Sequence, residues 1–425
     1  MIDTRAYGKK IFLFATAIIV ENSAQAQTSS GQRAEELQLN TITTAVPFLL
    51  ITPDSRAGGM GDAGVASLND VNAVHWNASK LGFTTKKMGF GVSYTPWLRA
   101  LVPDINLAYI TGFYKMKKKG TIAGSLRYFS LGDITFTDAN GQTTGQFRPN
   151  EFSLDVAYGT KLADNFAVGL AVRYINSNLT GNALVQSSQT HAGRAVGVDL
   201  SALYKKEKVK LADKKAIVAV GLNISNIGNK MSYSDRGDKN SDDFIPINLR
   251  FGGSLNVNLD DYNSISVLAD INKLLVPTPP TYKYEVDPLT GQTTGEIAVD
   301  ADGNPIIEAG KDPNRGVAEG MFGSFSDAPG GGKEELRELN YSLGLEYWYN
   351  HLFAIRAGYF YEHPTKGNRQ FFTIGAGVKY NVFGLDFAYL IPTQQRNPLE
   401  NTLRFTLTFD FDAFKDQNKA DAKTE

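Results

Sequence analysis

From residue 88 to residue 411, apolar positions alternate with polar or small ones at a period of two. In the last such stretch Leu403, Phe405, Leu407, Phe409 and Phe411 fall on one face, and Arg404, Thr406, Thr408 and Asp410 on the other. Successive side chains of a strand point to opposite faces, so this pattern predicts a strand with one greasy and one wet side. Small residues share the wet side elsewhere: Ala167, Gly169, Ala171 and Arg173 oppose Phe166, Val168, Leu170, Val172 and Tyr174. The same holds for Ser342, Gly344 and Glu346 against Tyr341, Leu343, Leu345 and Tyr347, and for Gly384, Asp386 and Ala388 against Leu385, Phe387, Tyr389 and Ile391. Segments of about 10 residues can cross a bilayer when tilted, whereas soluble strands average about 5 to 6.

About 14 such segments begin near Met88, Ile105, Thr121, Glu151, Asn165, Arg194, Ala216, Ile247, Ser264, Leu339, Leu352, Gln370, Gly384 and Thr402. An even number is what bacterial single-chain barrels require. With the N-terminus in the periplasm, every second connection is a periplasmic turn and should be short. These fall at 116–120, 161–164, 205–215, 260–263, 349–351 and 381–383, whereas the other series includes 137–150, 179–193, 228–246 and 277–338. A soluble sandwich has no reason to sort loop length by parity. The pattern predicts an all-β chain: an antiparallel transmembrane β-barrel of about 14 strands over residues 88–411, with 277–338 as a long extracellular loop. Tyr94, Trp97, Tyr128, Phe129, Tyr158, Tyr174, Trp348, Tyr349, Tyr359 and Tyr361 lie near strand ends, where interfacial girdles belong.

The N-terminus sets the compartment. Lys9 and Lys10, the apolar run 11–20 and the small-residue site Ala24-Gln25-Ala26 read as a secretory signal over residues 1–26. No later run reaches the 18 apolar residues of a spanning helix, so the exported product is periplasmic, extracellular or an outer-membrane barrel, and the alternation makes the outer membrane the expectation. With no cysteine, disulfides, thiolate metal sites and thiol nucleophiles are excluded. The balance of 43 Lys+Arg against 44 Asp+Glu argues against a polyanion-binding surface over the whole protein and leaves room for local patches; no nucleic acid partner and no cofactor are expected. Residues 412–425 form a polar tail.

Residues 27–87 lack strand patterning but carry a glycine-rich stretch, Gly58, Gly59, Gly61, Asp62 and Gly64, followed by Asn72, His75, Trp76 and Asn77. A phosphate-cradling loop would need a βαβ setting that this chain does not offer. The better expectation is a tightly folded hatch or plug inside the barrel, with glycines allowing close backbone approach. The stretches Gly-Met-Gly-Asp-Ala-Gly-Val-Ala (59–66) and Ala-Val-His-Trp-Asn-Ala-Ser-Lys-Leu (73–81) resemble the hatch of FadL-type outer-membrane proteins. With Pro47-Phe48-Leu49-Leu50-Ile51 upstream, the order is similar to the PorV family of type IX secretion barrels, over roughly residues 40–411. FadL-type hatches usually carry Asn-Pro-Ala where this chain has Asn77-Ala78-Ser79; the lost proline removes a fixed φ and weakens transfer of hatch mechanics.

The resemblance implies a subunit that binds the C-terminal signal domain of secreted cargo. It would pass cargo from the type IX translocon barrel to surface attachment-complex proteins, with outer-membrane lipid around it. The FadL side of the family implies the alternative, uptake of hydrophobic small molecules. An enzymatic reading has little to stand on: Ser187, Ser188 and His191 lack an acidic partner, and Asp300, Asp302 and Asn304 start a calcium-loop pattern that Pro305 and Lys311 break. The segment 277–338 holds 12 Asp/Glu against 5 Lys/Arg, while 115–119 and 205–215 are lysine-rich. Solvation explains both, and a basic partner outside and periplasmic subunits or anionic lipid inside are the sharper reading.

Overall fold

The structure, a computed structural model, describes residues 39–411 apart from 100, 118, 138–139, 182–183, 186–187, 235–241 and 395–396. The signal segment and the polar tail lie outside the described residues, as does Ser187. All the described strands belong to the unit that begins at Thr41.

Fourteen strands close into one antiparallel barrel. They are β1 (Met88–Pro96), β2 (Asn106–Met116), β3 (Gly120–Ser130), β4 (Asn150–Ala163), β5 (Phe166–Asn178), β6 (Gly193–Leu211) and β7 (Lys214–Gly228). The second half comprises β8 (Asn248–Asn258), β9 (Asn263–Leu274), β10 (Asn340–Tyr349), β11 (Phe353–Tyr361), β12 (Gln370–Tyr380), β13 (Phe383–Pro392) and β14 (Leu403–Asp410). Each strand pairs with its sequence neighbour, and β1 meets β14 from Gly89↔Asp410 to Tyr94↔Phe405. Closure satisfies every ladder, the condition for strands in hydrocarbon. Among the described residues no helix is long and apolar enough to cross a membrane.

Alternation decides which side of the wall each residue meets. Val92, Ile110, Leu126, Leu154, Val172, Leu222, Val267, Leu345, Ile374 and Leu407 are exposed on the outside, while Ser125, Asp155, Arg173, Asp270, Glu346, Arg356, Asp386 and Arg404 are buried on the inside. An apolar exterior around a polar interior inverts the arrangement of a soluble barrel. Loop length follows parity as expected: even connections leave 117–119, 164–165, 212–213, 259–262, 350–352 and 381–382, and the longest odd one is 275–339.

Two expectations change. The turn at 205–215 shrinks to 212–213, because β6 and β7 pair through to Leu211↔Lys214 across a bulge between Lys206 and Val209. Lysines are compatible with strand once it leaves the bilayer. Phe129 and Trp348 are not interfacial anchors, because their parity turns them inward, where both are buried. Trp97 is partly buried and packs inward against Phe360 and its neighbours. Residues 41–51 lie at the long-loop end: Ala45 donates its N–H to Phe244 O at 2.9 Å, and Phe48 packs with Ile245, Leu275 and Val276 of the long connections. The apolar run there finds its greasy surroundings beneath the loops.

The acidic long loop is partly neutralised by lysines outside it. Lys273 meets Glu335 and Glu338 at 3.0 and 2.5 Å, and Lys366 meets Glu334 and Glu338 at 2.6 and 3.0 Å. Asp300 accepts from the N–H groups of Asp302 and Asn304, both at 2.9 Å, an ordinary Asx turn.

Candidate functional site

Residues 41–87 pass from the long-loop end to the short-turn end, bonding inward-facing residues of the wall along the way. Phe48, in the turn Pro47–Leu50, stacks on Phe129 with centroids 6.1 Å apart. Arg127 of β3 donates to Leu49 O at 2.7 Å.

The short helix Ser55–Gly58 starts at Asp54, whose carboxylate accepts from Ala57 N at 2.9 Å and from Trp76 Nε1 at 2.7 Å. Burial, with the nearby Asp70 charge, pushes the Asp54 carboxyl up to about 6. Arg56 donates two hydrogen bonds to Glu346 of β10 at 2.9 and 2.8 Å and a third to Asp70 at 2.8 Å. Glu346 also accepts from Arg356 of β11, which reaches Asp386 of β13, both at 2.8 Å. The chain Asp70–Arg56–Glu346–Arg356–Asp386 ties the inner segment to three strands. A buried carboxylate is tolerable only when paired this fully.

The glycine stretch lies against the same side of the wall, on β9, β11, β12 and β14. Gly58 abuts the Arg404 side chain and Gly59 abuts Gly375. Gly61 has φ +63, and a Cβ there would meet backbone N and O of Tyr359 at 2.6 Å; its own N–H donates to Thr373 Oγ1 at 2.8 Å. A Cβ on Gly64 would fall 2.3 Å from the Trp76 ring. Asp62 pairs with Arg404 of β14 at 2.9 Å. The N–H groups of Gly64 and Val65 both donate to Asp270 Oδ2, at 2.7 and 2.9 Å.

The second cluster comprises Asn72, the turn Ala73–Trp76 and Asn77. Asn72 precedes the turn without a side-chain cap, and its buried Oδ1 has no partner. His75 Nδ1 accepts from Arg127 Nη2 at 2.6 Å. The neutral ring then carries its proton on Nε2, so the approach of Arg250 at 3.5 Å is a contact and not a second bond. Burial, then Arg127 and Arg250, hold the His75 pKa well below the usual imidazole value. Trp76 packs under the Arg250 guanidinium, 4.6 Å from ring centroid to Cζ. Asn77 donates to Val65 O and Ala202 O at 2.9 and 3.2 Å and accepts from Ser79 N at 3.0 Å. It closes the inner segment on itself and on β6 at once.

All nine sequence-selected residues therefore lie inside the barrel, in two clusters. Sequence reading missed their partners Arg127, Arg250, Asp270 and Arg404, and the Arg56 network of Glu346 and Arg356. The available signal was a lone charge at an inward position of an alternating strand. Two cavities flank the inner segment: one of ≈620 Å³ at the turn end, bordered by Trp348 and His351, and one of ≈410 Å³ at the loop end, bordered by Trp97, Phe360 and Arg369. Among the described residues no group of three or more His, Asp or Glu is placed to hold a metal.

Residues 33–281 match the family model of the type IX secretion system protein PorV. No curated protein matches the chain. Among solved structures, a deletion mutant of the TodX monoaromatic hydrocarbon channel is 15% identical, covers 84% of this chain and 99% of that one, and has a TM-score of 0.47. The Pseudomonas putida toluene transporter TodX is 13% identical with coverages of 87% and 98% and a TM-score of 0.42. A Pseudomonas aeruginosa FadL homologue is 12% identical with coverages of 88% and 100% and a TM-score of 0.39.

Proposed function

This chain belongs to the PorV family of type IX secretion system proteins, a family of non-enzymatic outer-membrane barrels, and we propose that it handles cargo for that system. In this reading it binds the C-terminal signal domain of secreted proteins at its extracellular loops. It then hands them from the translocon barrel to the surface attachment complex. The family match carries the proposal, since it spans both the inner segment and strands β1 to β9. The ionic anchoring of the inner segment supports it, because a filled lumen suits a recognition subunit better than a pore. Residues 1–26 act as the export signal, 27–87 as the hatch or plug built on Gly58, Gly59, Gly61, Asp62, Gly64, Asn72, His75, Trp76 and Asn77, and 88–411 as the barrel.

The test is purification of the tagged protein from its native outer membrane in mild detergent, with mass spectrometry of the proteins and lipids that accompany it. Secreted proteins sharing a C-terminal domain, or a very large barrel, are expected. A solitary barrel loaded with hydrophobic small molecules would overturn the reading in favour of FadL-like uptake, for which the aromatic-walled ≈410 Å³ cavity at the loop end speaks.

A further inference from the structure

The cavity at the turn end is built differently from the rest of the lumen. Its ≈620 Å³ lies within the range of ligand pockets, and its border carries Arg56, Lys86, Lys205, Arg356 and Lys379 against three carboxylates, Asp70, Asp386 and Asp410. The carboxylates are engaged: Asp70 with Arg56, Asp386 with Arg356 and Asp410 with Lys86. Lys205 pairs with Glu207 at 2.8 Å. Lys379 makes no ion pair among the described residues, and its ammonium lies 4.6 Å from the centroid of the Trp348 ring. The Arg356 guanidinium approaches the same ring at 5.5 Å.

Arg356 supplies the independent sign. Its side chain is fully buried and its Nε and Nη1 are bonded, yet Nη2 has no partner. A buried guanidinium N–H without an acceptor is unfavourable, and its charge is left incompletely neutralised. The strand register sets Gly384 opposite Lys379, and the missing side chain of Gly377 leaves room for the Arg356 guanidinium and Asp386. Val71, Phe113 and Val382 add apolar wall.

We propose that this vestibule binds an anionic headgroup of phosphate or carboxylate chemistry, seated on Lys379 beside Trp348 with the buried Arg356 charge behind it, and entering from the short-turn end. The Lys379 ammonium would supply charge-assisted donors, the Arg356 guanidinium behind it adds positive charge, and the apolar wall would take up whatever aliphatic part the anion carries. The inference is independent of the secretion reading.

The test uses the purified full barrel in a zwitterionic detergent, titrated in separate arms with inorganic phosphate and with dihexanoyl phosphatidylglycerol, dihexanoyl phosphatidylcholine serving as the control lipid. Intrinsic fluorescence is read, and Trp348→Phe identifies the reporting ring. A saturable change is expected, weakened about tenfold or more in Lys379→Gln, the loss that one hydrogen bond between charged groups predicts. Lys119→Gln, in the neighbouring basic turn, should bind as the parent does. Saturation by phosphate alone assigns a free anion, and saturation only by the anionic lipid assigns a lipid headgroup. No saturable change in either arm, or equal weakening by Lys119→Gln, overturns the proposal. If Trp348→Phe fails to fold, the phosphorus NMR linewidth of the same probes reads the binding without the ring.

Discussion

Replacing Glu346 by Gln tests whether ionic anchoring holds the inner segment in the lumen. The Glu346 side chain is fully buried and accepts two bonds from Arg56 and one from Arg356. The amide keeps one acceptor and loses the charge. Removing one partner of a buried pair ordinarily costs about 3–5 kcal/mol. Here each guanidinium retains another carboxylate, Asp70 or Asp386 at 2.8 Å, and only the Arg56 bonds join segment to wall. The loss of anchoring is therefore nearer the value of one charged hydrogen bond, about 1.5–3 kcal/mol. At about 1.4 kcal/mol per factor of ten, the open fraction of the segment rises roughly 10- to 100-fold. Because the chain has no cysteine, Ala66→Cys, at a position 1% exposed, offers a single thiol whose labelling rate reports opening. Lys86→Gln is the comparison: its ion pair with Asp410 has a lysine 52% exposed and should matter by about 1 kcal/mol or less. Labelling of the Glu346→Gln barrel within twofold of the parent, or no faster than in Lys86→Gln, would refute the reasoning, provided heat-modifiable migration shows the barrel folded.

Three further outcomes rest on the same geometry. Gly61→Ala forces a Cβ against the Tyr359 backbone at φ +63; with overpacking costs of about 1–3 kcal/mol, the Ala66→Cys thiol should label faster while the barrel band persists, and unchanged labelling would disprove the close approach. His75 stays neutral when folded because burial and two guanidiniums depress its pKa. Below about pH 6.5 the unfolded chain takes up a proton that the folded ring refuses, so stability falls by about 1.4 kcal/mol per pH unit relative to His75→Gln. Guanidinium midpoints at pH 7 and 5.5 measure this, and since Asp54 titrates in both proteins, parallel shifts would show that His75 is not held neutral. Leu345→Arg places a charge on the outer face, where Leu345 is 48% exposed; a penalty of about 2–4 kcal/mol at the midplane should cut folding into lipid vesicles, and full folding would contradict a membrane-facing wall.

The alternation in residues 403–411 and its counterparts was enough to determine strand number, the sidedness of each strand and the parity of the loops. Those properties depend only on a period of two meeting an apolar solvent. The glycines and polar residues of 58–77 were legible as a compact insert, since glycines that close together without a strand or helix period imply tight backbone approach. Their partners were not legible. Glu346 and Arg356 are ten residues apart in sequence, and Arg56 lies 290 residues from Glu346; only closure of the barrel brings the three together. Phe129 and Trp348 show the same limit from the other side: an aromatic near a strand end reads as an interfacial anchor until register fixes the face it occupies. Local pattern is encoded between neighbours and survives in one dimension, whereas a buried ion network needs long-range proximity and a shared low dielectric, and the tertiary structure alone supplies both.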